Sequence, residues 1–372
     1  MDQPQAIWIE TFDLRERQGN LSLPEEGAIR AQFAFRVILR SFKERMLMKW
    51  GWNANAAMEE SLERLRIFVD SLHPRQYHAP ALANMSRRSL ALRAISDPET
   101  HALMLSLLGN VIGANHQEAQ NLAHDFAYEL LASFPYDWIL APVCDQGDFY
   151  RCAGWDLISK INGCRSIIEI GRYEASLLNQ QAPQYLLGEW QWSKHGNELI
   201  WRALANSPVP VVLSMLFQPT LVYDPELNRL AELSESAQRI ADHSSSLTLH
   251  REAQWAVGVY KDRGEKLRFP FLVQIHLASP QGVPPFVERV VGSSLTFSGE
   301  SSNPHPGYSV IIPSNDQAHW VEALRAMQPI LGVTGGLPES QRLRLLCSPR
   351  EACSVMRLPY LHEFGIPGVN FH

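Results

Sequence analysis

The segment from residue 144 to residue 156 concentrates side chains that could do chemistry. Its thiols, carboxylates and aromatic rings belong to Cys144, Asp145, Asp148, Tyr150, Cys152, Trp155 and Asp156. The segment follows a predicted strand end, where α/β proteins often place ligands. Because thiolates and carboxylates both bind divalent ions, it is a candidate site for a hydrolase or a metal-dependent enzyme. The alternative is a polar loop with half-buried cysteines, since the spacing fits no metal-ligand pattern and the histidines lie far away in sequence.

Other catalytic motifs are incomplete. The Gly-Ser-Ser sequence at 292–294 is followed by leucine and threonine, so it lacks the second glycine of a nucleophile elbow and is more typical of a helix end. His362 and Glu363 begin a zinc-protease pattern, but Ile366 stands where its second histidine should be. The five cysteines include no Cys-x-x-Cys pair, which argues against a zinc ribbon. The sequence therefore identifies no metal ligands and leaves catalytic residues unassigned.

The chain also lacks a phosphate-binding loop for ATP. That loop requires Gly-x-x-x-x-Gly-Lys-Ser/Thr, and no glycine in this sequence is followed by lysine. The glycine-rich segment 332–338 ends in proline and is typical of a turn. We expect the isolated chain to bind ATP no better than a nonspecific protein, because it offers the triphosphate no such anion site.

Basic residues cluster in a segment predicted to be a helix, residues 28–48. Its candidate nucleic-acid contacts are Arg36, Arg40, Lys43 and Arg45, with Trp50 and Trp52 nearby. Basic side chains beside aromatic rings can hold a phosphate backbone and stack bases. The alternative is a solvated helix face. Smaller basic clusters lie at Arg87, Arg88 and Arg93 and at Arg342 and Arg344.

Composition limits the class of protein. The 372 residues are 45% hydrophobic and 19% charged, so the chain can form a sizeable core. The net charge of −6 argues against a chain that coats nucleic acid along its whole surface. Irregularly spaced cysteines and the absence of a signal-peptide pattern predict a cytoplasmic protein. No apolar run is long enough to predict a membrane span.

The pattern of elements predicts an α+β (α/β) fold built from two sheet-plus-helix units. A strand-helix-strand pattern with Leu-Ser and Phe-Pro at matching points occurs at 103–140 and again at 211–275. The first copy has an N-cap at Asn115, and the second contains a helical hairpin broken near 244–246. The units are predicted to be ferredoxin-like, internally duplicated and covered by helices on one face. We place them at residues 1–180 and 181–345, followed by a connector at 346–372.

The second half of the chain carries a family resemblance. It contains in order a Trp-containing helix, a strand ending in proline, a helical hairpin, a second strand and a helix with Val-Val-Gly. It then ends with Glu351-Ala352, Arg357-Leu358-Pro359 and Pro367-Gly368. This order resembles the segment that precedes the motor domain in HerA/FtsK-type ATP-driven DNA translocases, including conjugation and type IV secretion ATPases. The resemblance covers roughly residues 185–372.

The resemblance implies a non-catalytic module that mediates oligomerisation and docks a partner. ATP and Mg are then expected only on a partner motor domain or subunit, and no cofactor is expected in this chain. A homo-oligomer, indirect contact with DNA and a role in conjugation or phage defence would follow. The connector is expected to pack weakly on this chain and to be protected by the motor or a second copy. The residues assigned to that interface are Arg357, Leu358, Pro359, Pro367, Gly368 and Val369.

Overall fold

A computed structural model describes most of the chain. The described residues are 7–13, 28–40, 54–73, 87–163, 165–177, 184–192, 194–296, 307–313, 317–331, 338–359, 366 and 368–371. The fold is α+β, as predicted, with helices packed against a largely antiparallel sheet.

The strands and helices are numbered here in chain order. The strands are β1 (Glu10–Asp13), β2 (Ile29–Leu39), β3 (Arg88–Asp97), β4 (Ala102–Gly113), β5 (Trp138–Pro142), β6 (Ile167–Arg172), β7 (Glu174–Ser176), β8 (Gln184–Leu186), β9 (Val212–Pro219), β10 (Phe271–Ala278), β11 (Tyr308–Ile311), β12 (Leu346–Cys347) and β13 (Asn370–Phe371). The helices are α1 (Ala54–Ser71), α2 (His116–Ser133), α3 (Gln146–Ala153), α4 (Trp155–Ile158), α5 (Lys194–Ala205), α6 (Asp224–His243), α7 (Leu247–Lys266), α8 (Pro285–Thr296), α9 (Gln317–Ala326), α10 (Pro338–Leu345) and α11 (Pro349–Val355).

The main sheet consists of two halves with the same connectivity. In the first half the strands lie in the order β5-β2-β4-β3, and in the second half the order is β11-β6-β10-β9. Each half therefore follows a β-α-β-β-α-β path in which the last strand pairs with the first. The second half carries two insertions, the β7-β8 ribbon and the α6-α7 hairpin. The hairpin breaks at 244–246, as the sequence predicts.

The halves join through their edge strands β3 and β9, which pair antiparallel and make one continuous sheet. The four strands predicted from the repeated pattern are all present. However, the predicted equivalence of the two copies is wrong, because β4 occupies the position of β10 in the other half and not that of β9. The pattern matched β4, which precedes the single helix α2, with β9, which precedes the inserted α6-α7 hairpin. Sequence duplication between the halves stays a prediction.

The helix predicted at residues 28–48 is wrong where the structure describes it, because residues 29–39 form strand β2. In β2 the apolar side chains Ala31, Phe33, Phe35 and Val37 alternate with Arg30, Gln32, Ala34 and Arg36. A period of two places these sets on opposite faces of a strand, whereas a helix would need a period near 3.6. Residues 41–48 of the predicted helix lie outside the described part of the chain.

The two faces of the sheet differ in chemistry. One face, the helical face, is apolar and packs against α1, α2, α5, α8 and α11. On this face the Phe33 ring packs directly over Gly109 of the neighbouring strand. A Cβ atom at Gly109 would lie only 2.1 Å from Cζ of Phe33, so this position requires glycine. The opposite face, the polar face, is covered by α3, α4 and α9. Helices thus cover both faces, whereas the sequence predicted them on one.

The predicted connector is part of the core. Strand β12 pairs with the start of β10, and β13 pairs in parallel with the start of β4. Between them, a capping box formed by Ser348 and Glu351 begins α11. The side chains of Leu346, Val355, Met356, Leu358 and Ile366 are all less than 5% exposed. The weak packing predicted for 345–372 is therefore wrong for these residues.

Individual interface residues of the predicted connector are also buried. The Arg357 guanidinium is fully buried and donates hydrogen bonds to the carbonyl oxygens of Ser354 (2.7 Å), Gln191 (2.5 Å) and Ser294 (3.1 Å). Pro359 is buried, and its carbonyl accepts a 3.2 Å hydrogen bond from the Trp138 indole.

The end of the chain is less enclosed. Val369 is half-buried, and Gly368 is exposed. Pro367 lies outside the described residues. Among the described residues of the predicted connector, only 349–351 and 368–371 are not buried.

The packing of the C-terminal segment predicts its hydrogen exchange. In the purified chain without a partner, peptides covering 346–358 should exchange within about tenfold of peptides from β10, because both belong to the same buried unit. Peptides covering the hairpin tip at 243–247 serve as the fast-exchanging control. Fast exchange throughout 352–358 in the isolated chain would contradict the structure and restore the connector interpretation.

Candidate functional site on the polar face of the sheet

A row of polar side chains crosses the polar face from one half of the sheet to the other. Its members are direct cross-strand partners on consecutive strands β2, β4, β3, β9, β10 and β6. In that order they are Arg36, Ser106, Arg93, Ser214, His276 and Glu169. Directly opposed residues in a sheet project from the same face with Cβ atoms about 5 Å apart. The row therefore brings arginine, serine, histidine and glutamate side chains together at the joint between the halves.

Arg93 lies at the centre of the row. It is 1% exposed, and its Nε donates a 3.2 Å hydrogen bond to Oγ of Ser214 on the other half of the sheet. Its two terminal nitrogens donate to the carbonyl oxygens of Ala153 in α3 and Leu324 in α9. Burial lowers the pKa of Arg93 to about 9, because a charged guanidinium is costly away from water. The side chain thus ties both halves of the sheet to the helices that cover them.

His276 lies two strands away and is held neutral. It is 2% exposed, its ring meets the Trp320 ring edge-on at 5.6 Å, and its Nε2 has no hydrogen-bond partner in the described structure. Burial lowers the pKa of His276 to about 4, and the nearby Glu169 carboxylate offsets this only in part. At neutral pH the ring is therefore an uncharged group packed under α9.

Glu169 ends the row in a saturated network. Its carboxylate pairs with the Arg344 guanidinium and accepts a 2.7 Å hydrogen bond from Nε2 of Gln274. The Gln274 carbonyl in turn accepts a 2.8 Å hydrogen bond from the backbone N–H of Ile330. These partners offset the free energy that the carboxylate loses when it is removed from water. Glu169 is 1% exposed, so its carboxylate is not accessible to a ligand in solution, and we interpret the network as structural.

The segment 144–156 is a pair of helices and not a loop. Asp145 caps α3 by accepting a 2.8 Å hydrogen bond from the N–H of Asp148. Gly154 has φ of +67°, a left-handed conformation that ends α3 and starts α4. The resulting corner lays both short helices across the polar face. The sequence did not predict these two helices, because eight and four residues are too few to show a clear helical period of apolar residues.

The polar residues of this segment have structural roles. Asp148 pairs with Arg36 at 3.1 Å and with Arg151. Cys152 is buried, and burial raises the pKa of its thiol, which keeps it in the unreactive protonated form. Cys144 is exposed. In the part of the chain that the structure describes, no group of three or more histidine, cysteine, aspartate or glutamate side chains could hold a metal ion.

The predicted basic clusters are divided among separate contacts. On β2, Arg36 points to the polar face and Nε of Arg40 donates a 2.6 Å hydrogen bond to the Tyr136 carbonyl. Lys43 and Arg45 lie outside the described residues. Arg342 pairs with the buried Glu226 carboxylate. The described arginines Arg36, Arg40 and Arg342 therefore make separate tertiary contacts and do not form one basic surface.

Sequence reasoning missed the polar row itself. Each of the six strands contributes one member, so the row is visible only after the strands are aligned. The available signal was the alternation of polar with apolar residues in single strands, such as Ser89, Ala91 and Arg93 in β3 between buried leucines. Alternation predicts which side chains of a strand share a face, but it does not predict which strands lie next to it.

Comparisons with known proteins do not name a family for this fold. No model of a protein family matches the chain, and no curated protein matches it. Over the described ranges, none of the helices is both long enough and apolar enough to cross a membrane. Function is therefore argued from the geometry.

Replacing Arg93 should weaken the whole fold. Arg93→Met leaves the Ser214 hydroxyl and two buried carbonyl oxygens without their donor, and we expect a loss of about 3 kcal/mol in the free energy of unfolding. Arg151→Met is the matched control, since that side chain is 63% exposed on α3. Urea denaturation at pH 7 compares the two. Equal stability of both variants would show that Arg93 does not hold the joint.

His276 should make stability depend on pH. Its folded pKa of about 4 lies below the unfolded value near 6.5, so the unfolded chain binds more protons between these values. The stabilisation is fully present above pH 6.5 and is lost as pH falls toward 4. Between pH 7 and pH 5 we expect wild type to lose about 2 kcal/mol more than His276→Gln, measured by urea denaturation. Identical pH profiles would mean that the ring has the same pKa in the folded and the unfolded chain.

Proposed function

We propose that this chain is a non-catalytic module for oligomerisation and partner docking. Its partner is an ATP-driven DNA translocase or secretion ATPase of the HerA/FtsK type, as in conjugation, type IV secretion or phage defence. The partner motor supplies ATP and Mg, and contact of this chain with DNA is indirect. The proposal is supported by the resemblance of residues 185–372 and by the burial of most polar-row side chains while apolar side chains are exposed on the helices.

The observation that carries the proposal is the α6-α7 hairpin. It is inserted between β9 and β10, which already pair directly, so the sheet does not need it. Its inner side packs on the β7-β8 ribbon through residues such as Leu233, Ala237 and Tyr260. Its tip carries Leu247, which is 87% exposed. A rigid helical pair that ends in an exposed leucine is suited to contact another protein.

The distribution of reactive groups supports docking over catalysis. Five members of the polar row are buried under α3, α4 and α9, Arg36 is partly exposed, and Arg93 and Glu169 make their hydrogen bonds inside the protein. Large apolar side chains are instead exposed on several helices. They include Ile67, Tyr128, Leu131, Leu199, Tyr223, Leu227 and Leu247. Exposed leucines and tyrosines on rigid helices are common anchors in protein interfaces.

The proposal is tested on the purified chain and the product of a neighbouring reading frame that contains a phosphate-binding loop. Native mass spectrometry and sedimentation should show self-association of this chain and a complex of the two proteins. We expect Leu247→Asp to weaken that complex at least about tenfold, because a charge would replace an apolar anchor. Leu131→Asp on α2, where the side chain is 38% exposed, is the matched control.

Three outcomes contradict the proposal. If the two proteins remain separate at micromolar concentrations, the docking function is wrong. If the purified chain hydrolyses ATP without a motor, it is an enzyme in its own right. Equal effects of both leucine variants would place the contact away from the hairpin tip and remove the observation on which the proposal depends.

A further inference from the structure

One corner of the polar face contains buried hydrogen-bond donors that have no acceptor among the described residues. Arg30 on β2 is 5% exposed, and its Nε and one terminal nitrogen, Nη2, lack a partner. The same holds for Nε of Arg325 in α9 and for the indole N–H of Trp155 in α4, a residue that is 6% exposed. Buried donors of this kind are rare in folded proteins, because each costs free energy unless an ion or a water molecule accepts its hydrogen bond.

These residues are neighbours in the fold. The Arg325 guanidinium carbon lies 4.8 Å from the centre of the Trp155 ring. The Trp155 ring is 5.3 Å from the Phe12 ring, and Phe12 is the direct cross-strand partner of Arg30. Gln32, two residues along β2 from Arg30 and on the same face, donates a 3.0 Å hydrogen bond to the Arg325 carbonyl. Two guanidinium groups and an indole N–H therefore share one corner.

The charges around this corner favour an anion. Burial lowers the pKa of Arg30 to about 10, and the nearby Glu322 carboxylate only partly offsets the effect. Glu322 lies on α9 and is not buried. Glu10, the other nearby carboxylate, already accepts hydrogen bonds from Trp8 (2.8 Å), Gln146 (3.1 Å) and Tyr150 (3.2 Å). Arg30 and Arg325 thus retain donors that neither carboxylate occupies.

We propose that this corner binds a phosphate group between Arg30 and Arg325, with the Trp155 N–H as a third donor. Guanidinium groups match the geometry of phosphate oxygens, and several charge-assisted hydrogen bonds can form to one tetrahedral anion. The group is either free inorganic phosphate or a phosphate of a nucleic acid strand. The site does not depend on the docking function proposed above, because it lies on the polar face and not on the α6-α7 hairpin.

The experiment is calorimetry of the full chain with sodium phosphate, against sodium chloride at matched ionic strength. We expect saturable binding at one site, weakened at least about tenfold by Arg30→Met and by Arg325→Met. Arg151→Met, an exposed change on the adjacent helix α3, should leave the affinity unchanged. Arg325 is only half-buried, so Arg325→Met keeps the test decisive if Arg30→Met fails to fold.

A second titration identifies the source of the phosphate. Short single-stranded DNA is added with and without a 5′-phosphate. Binding of both oligonucleotides with the same arginine dependence assigns the site to a nucleic acid backbone. Binding of the phosphorylated one alone assigns it to a strand end, and binding of inorganic phosphate alone assigns it to the free anion. No saturable binding of any probe, or binding that both arginine variants retain, overturns the proposal.

Discussion

The antiparallel pairing of β3 with β9 is the contact on which the rest of the structure depends. The joint turns the two halves into one continuous sheet, and the hydrophobic clusters on its two faces contain residues from both halves. Arg93 reinforces the joint from the polar face, because its guanidinium reaches Ser214 across the joint and two carbonyl oxygens above it. A buried cation without a carboxylate partner is costly, so the covering helices must stay in place to satisfy it.

The C-terminal segment adds one short strand to each half of the sheet. Strand β2 pairs with β4 only from Ser106 onward, and β6 pairs with β10 only from Ile275 onward. The first residues of β4 and β10 would therefore have an open edge. Strands β13 and β12 fill these two gaps. Since one short segment completes both halves, its burial follows from the sheet and not from its own composition.

The arrangement separates stability from interaction. Most of the polar and charged side chains that could take part in chemistry make hydrogen bonds inside the protein, at the joint between the halves and beneath α3, α4 and α9. The outward surface instead carries exposed apolar residues, of which Leu247 at the tip of the α6-α7 hairpin is the most accessible. The unpartnered donors of Arg30, Arg325 and Trp155 lie together where the covering helices meet the edge of the sheet. The proposed docking function would use the exposed apolar residues, and the proposed anion site would use the unpartnered donors.

The sequence by itself determined the local elements whose signals are contained in a few neighbouring residues. Asn115 caps α2 through its bond to the N–H of Glu118, and serines break the α6-α7 hairpin, both as their patterns predict. The α+β class follows from the same signals. Only the tertiary structure decided that the basic segment at 28–39 is a strand, because covering helices make its polar face an interior. It also decided that Arg357 and Leu358 are core residues, since the gaps that their segment fills are created by strands far away in the chain.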